Sequence, residues 1–281
     1  MRNINHQSIP RTSVSFSHYT RLDNIFQNKR WDNSNASIEI KQRYNDTLSI
    51  LSPNEQELFL DLTERFTCIS LAQYEQELGK TLFYLCEKNE GKKLYFTRCV
   101  GKRDLENTKS SDLVLYLFKA HILKYMLSLP YLVVDDIRNI NVSELNDGSA
   151  LLVFVDDFIG TGNTAMKTLE YVYDCFPDLR NDSSIVFLSI ASLQEGVDTI
   201  RNIGFHLYTS NVFKKGITDF YEGNQLSQVK KCMESIERKL QVAGKFRFGY
   251  KKSEALLCMA RCPNNTFPIY WYSIGLAPYE R

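Results

Sequence analysis

Two adjacent carboxylates, Asp156 and Asp157, stand immediately before a run suited to holding an anion: Phe158, Ile159, Gly160, Thr161, Gly162, Asn163 and Thr164. Gly160 and Gly162 let backbone amides come close to a ligand and permit positive φ. The Thr161 and Thr164 hydroxyls add donors, and the amides that open a following helix form an anion site. A phosphate is therefore expected in the turn from Phe158 to Thr164. The two carboxylates, one step earlier, would face a polar group carrying hydroxyls, or a metal ion.

The flanking residues say what positions this turn. Leu151 to Val155 is apolar without alternation, as in a strand covered on both faces of a parallel sheet. Met166, Leu169, Val172 and Phe176 then recur at three- to four-residue spacing and predict an amphipathic helix. A buried strand that ends in a polar turn places its ligand at the carboxyl edge of an open α/β sheet. Two other phosphate motifs fit less well. Gly160-x-Gly162-x-x-Ala165 satisfies the dinucleotide pattern, but that pattern wants its acid about 20 residues later. Here the acids precede the glycines, and the next apolar strand, Ile185 to Ala191, is followed by Ser192. A P-loop is absent because no Gly-Lys-Ser/Thr closes the turn.

The segment VFVDDFIGTGNTA resembles the signature of type I phosphoribosyltransferases. The resemblance implies an α/β fold, a Rossmann-like parallel sheet flanked by helices. It implies that Phe158 to Thr164 holds the 5-phosphate of phosphoribosyl pyrophosphate (PRPP). Asp156 and Asp157 would be the catalytic acids that meet the ribose hydroxyls, with Mg²⁺ nearby, in an enzyme of pentosyl transfer. In that family a loop after the first core strand contacts the pyrophosphate. Here the strand is Lys93 to Val100, the loop is Gly101 to Ser111, and the contacting residues would be Lys109, Ser110 and Ser111. The same run reads equally as the capped start of a helix, Asp112 to Leu127, with Leu113, Leu117 and Phe118 inward.

Further strands are expected at Tyr131–Val134, Ile185–Ala191 and Phe205–Ser210, alternating with helices, the rhythm of a parallel sheet. Asp135 and Asp136 repeat the acidic pair, but no glycine turn follows, so they read as strand-end solvation. Residues 139–149 stand where the family has a mobile flap, and are short for one. Leu226, Val229, Met233, Ile236 and Leu240 form a helical stripe that would pack in a core or seam a dimer.

Before the sheet, Ser52-Pro53-Asn54-Glu55 is a capping box with proline at the first helical position. Leu58, Phe59, Leu62 and Phe66 follow on one face, and a second helix is expected from Leu71 to Lys88. His6 and His18 stand alone in a polar N-terminal stretch and suggest no chemistry. The expected organisation is a largely helical extension, 1–90, and an α/β domain, 91–281. The latter would end in a hood-like β-hairpin around Pro263-Asn264-Asn265-Thr266, whose aromatics (Tyr270, Trp271, Tyr272) would either close the core or stack on a base. The tail pattern, with the Asp156 turn and Lys109-Ser110-Ser111, resembles a phosphoribosyltransferase-like family of bacterial conflict operons that include anti-phage systems such as some retrons. That resemblance implies either a defence enzyme with operon-encoded protein partners, or a non-catalytic PRPP or nucleotide sensor in a toxin–antitoxin-like complex.

Composition sets outer limits. The chain has 281 residues, 43% hydrophobic and 24% charged, with net charge +1. That balance is ordinary for a globular protein and gives no electrostatic reason to expect nucleic acid or membrane as a partner. No apolar run reaches the ~20 residues of a membrane span, and the N-terminus lacks a signal-like apolar core. The seven cysteines are odd in number and irregular in spacing, which suggests reduced thiols in a cytoplasmic protein rather than disulfides or a metal site.

Overall fold

The computed structural model describes residues 9–31, 35–126, 129–272 and 276–279. His6 and Leu127 lie outside them. The N-terminal helices are α1 (Phe16–Asn28), α2 (Asn35–Ser49) and α3 (Pro53–Arg65), followed by a two-residue strand β1 (Thr67–Cys68). Next come α4 (Leu71–Lys88), β2 (Lys93–Arg98), α5 (Ser110–Leu117), α6 (Leu123–Met126), β3 (Tyr131–Val133) and α7 (Val142–Asn146). The central run is β4 (Ala150–Ile159), α8 (Asn163–Cys175), β5 (Ile185–Leu193), α9 (Gln194–Asn202) and β6 (His206–Phe213). The chain then forms α10 (Gly223–Lys239) and β7 (Leu257–Cys258).

Contacts divide the chain into two compact units, and not at residue 90. One is 70–213; the other joins 1–69 to 214–281. Helix α4, expected with the N-terminal extension, belongs to the sheet unit, where it packs against β5 and β6.

The sheet unit is α/β: a five-stranded, all-parallel sheet in the order β3-β2-β4-β5-β6, flanked by helices. Its central strands are continuously apolar because both faces are covered. On one face Phe118 stacks on Phe96, with ring centroids 5.3 Å apart. On the other, Tyr95, Leu152 and Phe154 meet Ala165, Leu169 and Val172 of α8 and Ile200 of α9. The connection after β2 runs outward to β3, whereas that after β4 runs the opposite way to β5. The crevice between the carboxyl ends of β2 and β4 is thus a topological switch point, where open α/β sheets bind ligands.

Several local expectations are corrected. The helix expected from Asp112 starts at Ser110 and gives way after Leu117 to a π-helical turn, Phe118–Ile122. Its inward residues are Val114, Leu115 and Phe118; Leu113 and Leu117 are only half-buried. On α8 the buried row is Ala165, Thr168, Leu169 and Val172, while Met166 is 36% exposed. Residues 139–149 hold α7, pinned by Asn181 Nδ2 to Leu145 O (3.1 Å), Arg180 N to Asn146 Oδ1 (2.7 Å) and Lys93 Nζ to Glu144 Oε2 (3.0 Å).

The second unit is built on aromatic packing. The capping box of α3 forms as expected, with Ser52 N–H donating to Glu55 Oε2 at 2.8 Å, and Leu58, Phe59, Leu62 and Phe66 are buried. Met233, Ile236 and Leu240 of the α10 stripe enter the same core. The tail makes no hairpin among the described residues: Leu257–Cys258 pairs in parallel with Thr67–Cys68. Nor do its aromatics present a stacking platform. Tyr270 is fully buried 4.2 Å from Phe66 (ring centroids), its hydroxyl 3.0 Å from that of Thr63, and Trp271 donates to Thr266 O at 2.8 Å. The Asn-Asn-Thr turn serves the interior: Gly249 (φ 78) approaches Asn265 so closely that a Cβ would lie 2.0 Å from its carbonyl oxygen.

Glu237 of α10 is buried in this unit. Its Oε1 accepts the Phe248 amide at 2.6 Å, and its Oε2 has no partner among the described residues. Burial pushes its carboxyl from an ordinary 4.5 up to about 7. The sign follows from linkage: a raised folded-state value favours the fold fully below the unfolded value and loses that contribution as pH rises through the folded one. Thermal unfolding should therefore show Tm falling as pH rises from about 4.5 to about 7, with Glu237→Gln flattening that fall.

Candidate active site

The acidic pair lies inside β4, not after it. The ladder with β5 continues through Asp156↔Ser189, Phe158↔Ala191 and Ile159↔Ser192, so the strand ends at Ile159 rather than Val155. Neighbouring strand residues project to opposite faces. Asp156 continues the row of Leu152 and Phe154, and Asp157 that of Val153 and Val155. Both are nearly buried, at 8% and 6% exposure.

Polar groups from three directions hold them. Ser110 Oγ donates to Asp156 Oδ1 at 2.9 Å, and the Asp157 amide donates to the same oxygen at 2.9 Å. The Tyr74 hydroxyl of α4 donates to Asp157 Oδ2 at 3.1 Å. Among the described residues neither carboxylate has an ion-pair partner. Burial, reinforced by the charge of Asp157, holds the Asp156 carboxyl well above the usual carboxylate range. Burial also raises Asp157, against the donors Ser110, Tyr74 and the Phe158 amide, which favour its charged form. The pair is thus two adjacent buried carboxyl groups whose charged forms burial disfavours.

The turn that follows is shaped by α9. Gly162 caps α8 in the left-handed region (φ 77, ψ 0), and a Cβ on it would lie 2.9 Å from Thr199 Cγ2. A Cβ on Gly196 would lie 2.4 Å from Gly160 O and 2.9 Å from Ile159 O. Ser192 Oγ donates to Ile159 O at 2.8 Å. The first backbone bond closing α8 runs from Met166 N–H to Gly162 O at 3.0 Å, so Asn163, Thr164 and Ala165 supply the amides at the helix start. Thr161 is half-buried and Thr164 exposed.

Of the residues expected to contact pyrophosphate, Ser110 is brought to the acids and Lys109 is not. The Lys109 ammonium pairs with Asp104 Oδ1 at 3.2 Å, while its amide donates to Asp112 Oδ2 at 2.7 Å. Arg98 braces the loop through Asp112 Oδ1 at 2.8 Å. Ser111 is buried at the start of α5, and its Oγ has no partner among the described residues. Asp136 serves locally as expected, accepting from the Arg138 amide at 2.9 Å and pairing with its guanidinium.

A family model described as PRTase-CE matches residues 40–279. The chain belongs to this phosphoribosyltransferase-like family. Among solved structures, the chain is similar to the AQ2163 protein from Aquifex aeolicus, with 16% identity, 62% of this chain and 84% of that chain covered, and a TM-score of 0.31. It is also similar to purine phosphoribosyltransferase from Pyrococcus horikoshii Ot3, with 15% identity, 52% and 92% covered, and a TM-score of 0.26. No curated protein matches. No helix among the described residues is long and apolar enough to cross a membrane.

In this PRTase-CE protein the positions that motif reading missed are Tyr74, Ser192, Gly196 and Thr199. Only Gly196 left a sequence signal: glycine within a helix costs about 1 kcal/mol relative to alanine, so its presence there points to close packing. Gly196→Ala should force the turn to shift and destabilise the protein by about 1–3 kcal/mol, measured by thermal unfolding. Asp156→Asn should act oppositely on the fold. It removes a buried charge whose folded-state value is raised, so stability should rise at pH 7 and converge with wild type as pH falls below the ordinary carboxylate range, while ligand binding is lost.

Proposed function

We propose that this PRTase-CE protein binds PRPP with Mg²⁺ and transfers its phosphoribosyl group. The observation that supports this best is the Ser110–Asp156 bond. It joins the start of α5 to the acidic pair across the switch point, so the two halves of a ribose-diphosphate site are continuous. In this reading Asp156 and Asp157 accept hydrogen bonds from the ribose hydroxyls, and their charge stabilises the positive ring as the bond from C1 to pyrophosphate oxygen breaks. The electron pair leaves with pyrophosphate, and the acceptor forms the new bond at C1. The amides and hydroxyls from Gly160 to Thr164 hold the 5-phosphate, and the start of α5, with Ser110 and Ser111, meets the pyrophosphate. Positioning, not covalent work, is the contribution of the chain.

The donor set fits magnesium of a particular kind. Among the described residues no cluster of three or more His, Cys, Asp or Glu side chains is able to hold a metal by itself. Mg²⁺ commonly takes one or two carboxylates and completes its shell with substrate phosphate and water. Asp156 and Asp157 would hold it in that manner, and when bound it would neutralise charge on the departing pyrophosphate.

In a cell the activity would serve as the effector of an anti-phage defence system, together with protein partners. A second reading is a PRPP or nucleotide sensor without turnover, favoured by α7 being pinned where a flap would exclude water. Incubation with labelled PRPP, Mg²⁺ and pooled nucleotides, with identification of products, separates the two. Turnover lost in Asp157→Ala, with the fold intact, supports transfer. PRPP or nucleotide binding without product supports the sensor, no PRPP binding overturns transfer, and binding of neither PRPP nor any pooled nucleotide overturns both.

A further inference from the structure

We infer that Tyr74 is a positioning residue for the ribose-binding carboxylate Asp157, an inference that rests on the ribose-phosphate reading above. Tyr74 lies on α4, which precedes the sheet in sequence and carries none of the motif. Its ring is fully buried, and its hydroxyl donates to Asp157 Oδ2 at 3.1 Å. A phenol fits this task because it donates one hydrogen bond in a fixed direction without adding a cation that would compete for the carboxylate.

The helix is held so that the hydroxyl arrives at the right height. Tyr74, Glu77 and Thr81 recur at three- and four-residue spacing on one face of α4. Glu77 Oε2 accepts from Asn211 Nδ2 on β6 at 2.9 Å, and Thr81 Oγ1, which donates to Glu77 O at 2.9 Å, lies 3.5 Å from Ser189 O on β5. With the buried Leu78, Leu82 and Leu85, these contacts hold α4 on the sheet and with it the reach of Tyr74. The carboxylate needs that support, because burial disfavours its charged form and the Tyr74 hydroxyl is one of the donors that favour it.

A purely structural tyrosine and a positioning one differ in what they do to ligands. The test is calorimetric titration of wild type, Tyr74→Phe, Asp157→Asn and the double variant with ribose 5-phosphate. It is repeated with 2,3-dideoxyribose 5-phosphate, which lacks the hydroxyls at C2 and C3. Tyr74→Phe keeps the ring, and its fold is checked by thermal unfolding. The expected result is a loss of about tenfold in ribose 5-phosphate affinity, no change for the dideoxy sugar, and no further loss when Tyr74→Phe is added to Asp157→Asn. Equal losses for both sugars, or no loss for either, overturn the inference and leave the ribose-phosphate reading standing. A wild-type protein that binds neither sugar phosphate overturns that reading and this inference together.

Discussion

Two adjacent negative charges inside a sheet are the constraint around which the α/β unit is arranged. A buried carboxylate needs donors, a cation or a proton, and two neighbours on one strand make each other's ionisation harder. The protein supplies donors from three places: the start of α5, the face of α4 and the strand's own amide. It supplies no cation among the described residues. Two carboxyl groups held in this way cost the fold stability near neutral pH, because burial disfavours their charged forms.

The turn from Gly160 to Thr164 shows how a short motif depends on distant residues. Gly160 and Gly162 give the backbone its freedom, but α9 decides which conformation is adopted. Gly196 lies against the carbonyls of Ile159 and Gly160, and Thr199 lies against Gly162. The turn is thus moulded between β4 and a helix that begins more than thirty residues later. The same logic applies to Ser110, which belongs to one βα connection and bonds to a carboxylate of another.

The unit built from the two chain ends follows a different principle. Its core is a cluster of rings, Phe26, Tyr44, Phe59, Phe66 and Tyr270, with contacts between helices α1 to α3 and the tail. The prolines, asparagines and aromatics of the tail look like recognition chemistry when read along the chain. In space the rings fill the interior and the asparagine turn ties its own loop. Tyrosine and tryptophan serve both purposes, because each has a large apolar body and one polar atom that a buried partner can satisfy.

Local order in the sequence was enough to establish the parallel α/β sheet, its strand sequence and the acid-glycine-helix turn. Buried parallel strands are continuous apolar runs, capping boxes are local, and the left-handed turn at Gly162 needs a residue without a Cβ. The family resemblance singled out Ser110, which the structure brings to Asp156. Local order did not show that β4 runs through the acids, that Lys109 turns to Asp104, or that Tyr74 reaches Asp157. It divided the chain at residue 90, where the contacts instead join both ends and give α4 to the sheet. Those outcomes come from packing between residues far apart in the chain: which strand is long enough to extend a ladder, which helix face finds a polar partner, and which aromatic fills a core. A periodic pattern says that a face will be buried, but only the tertiary structure decides against what.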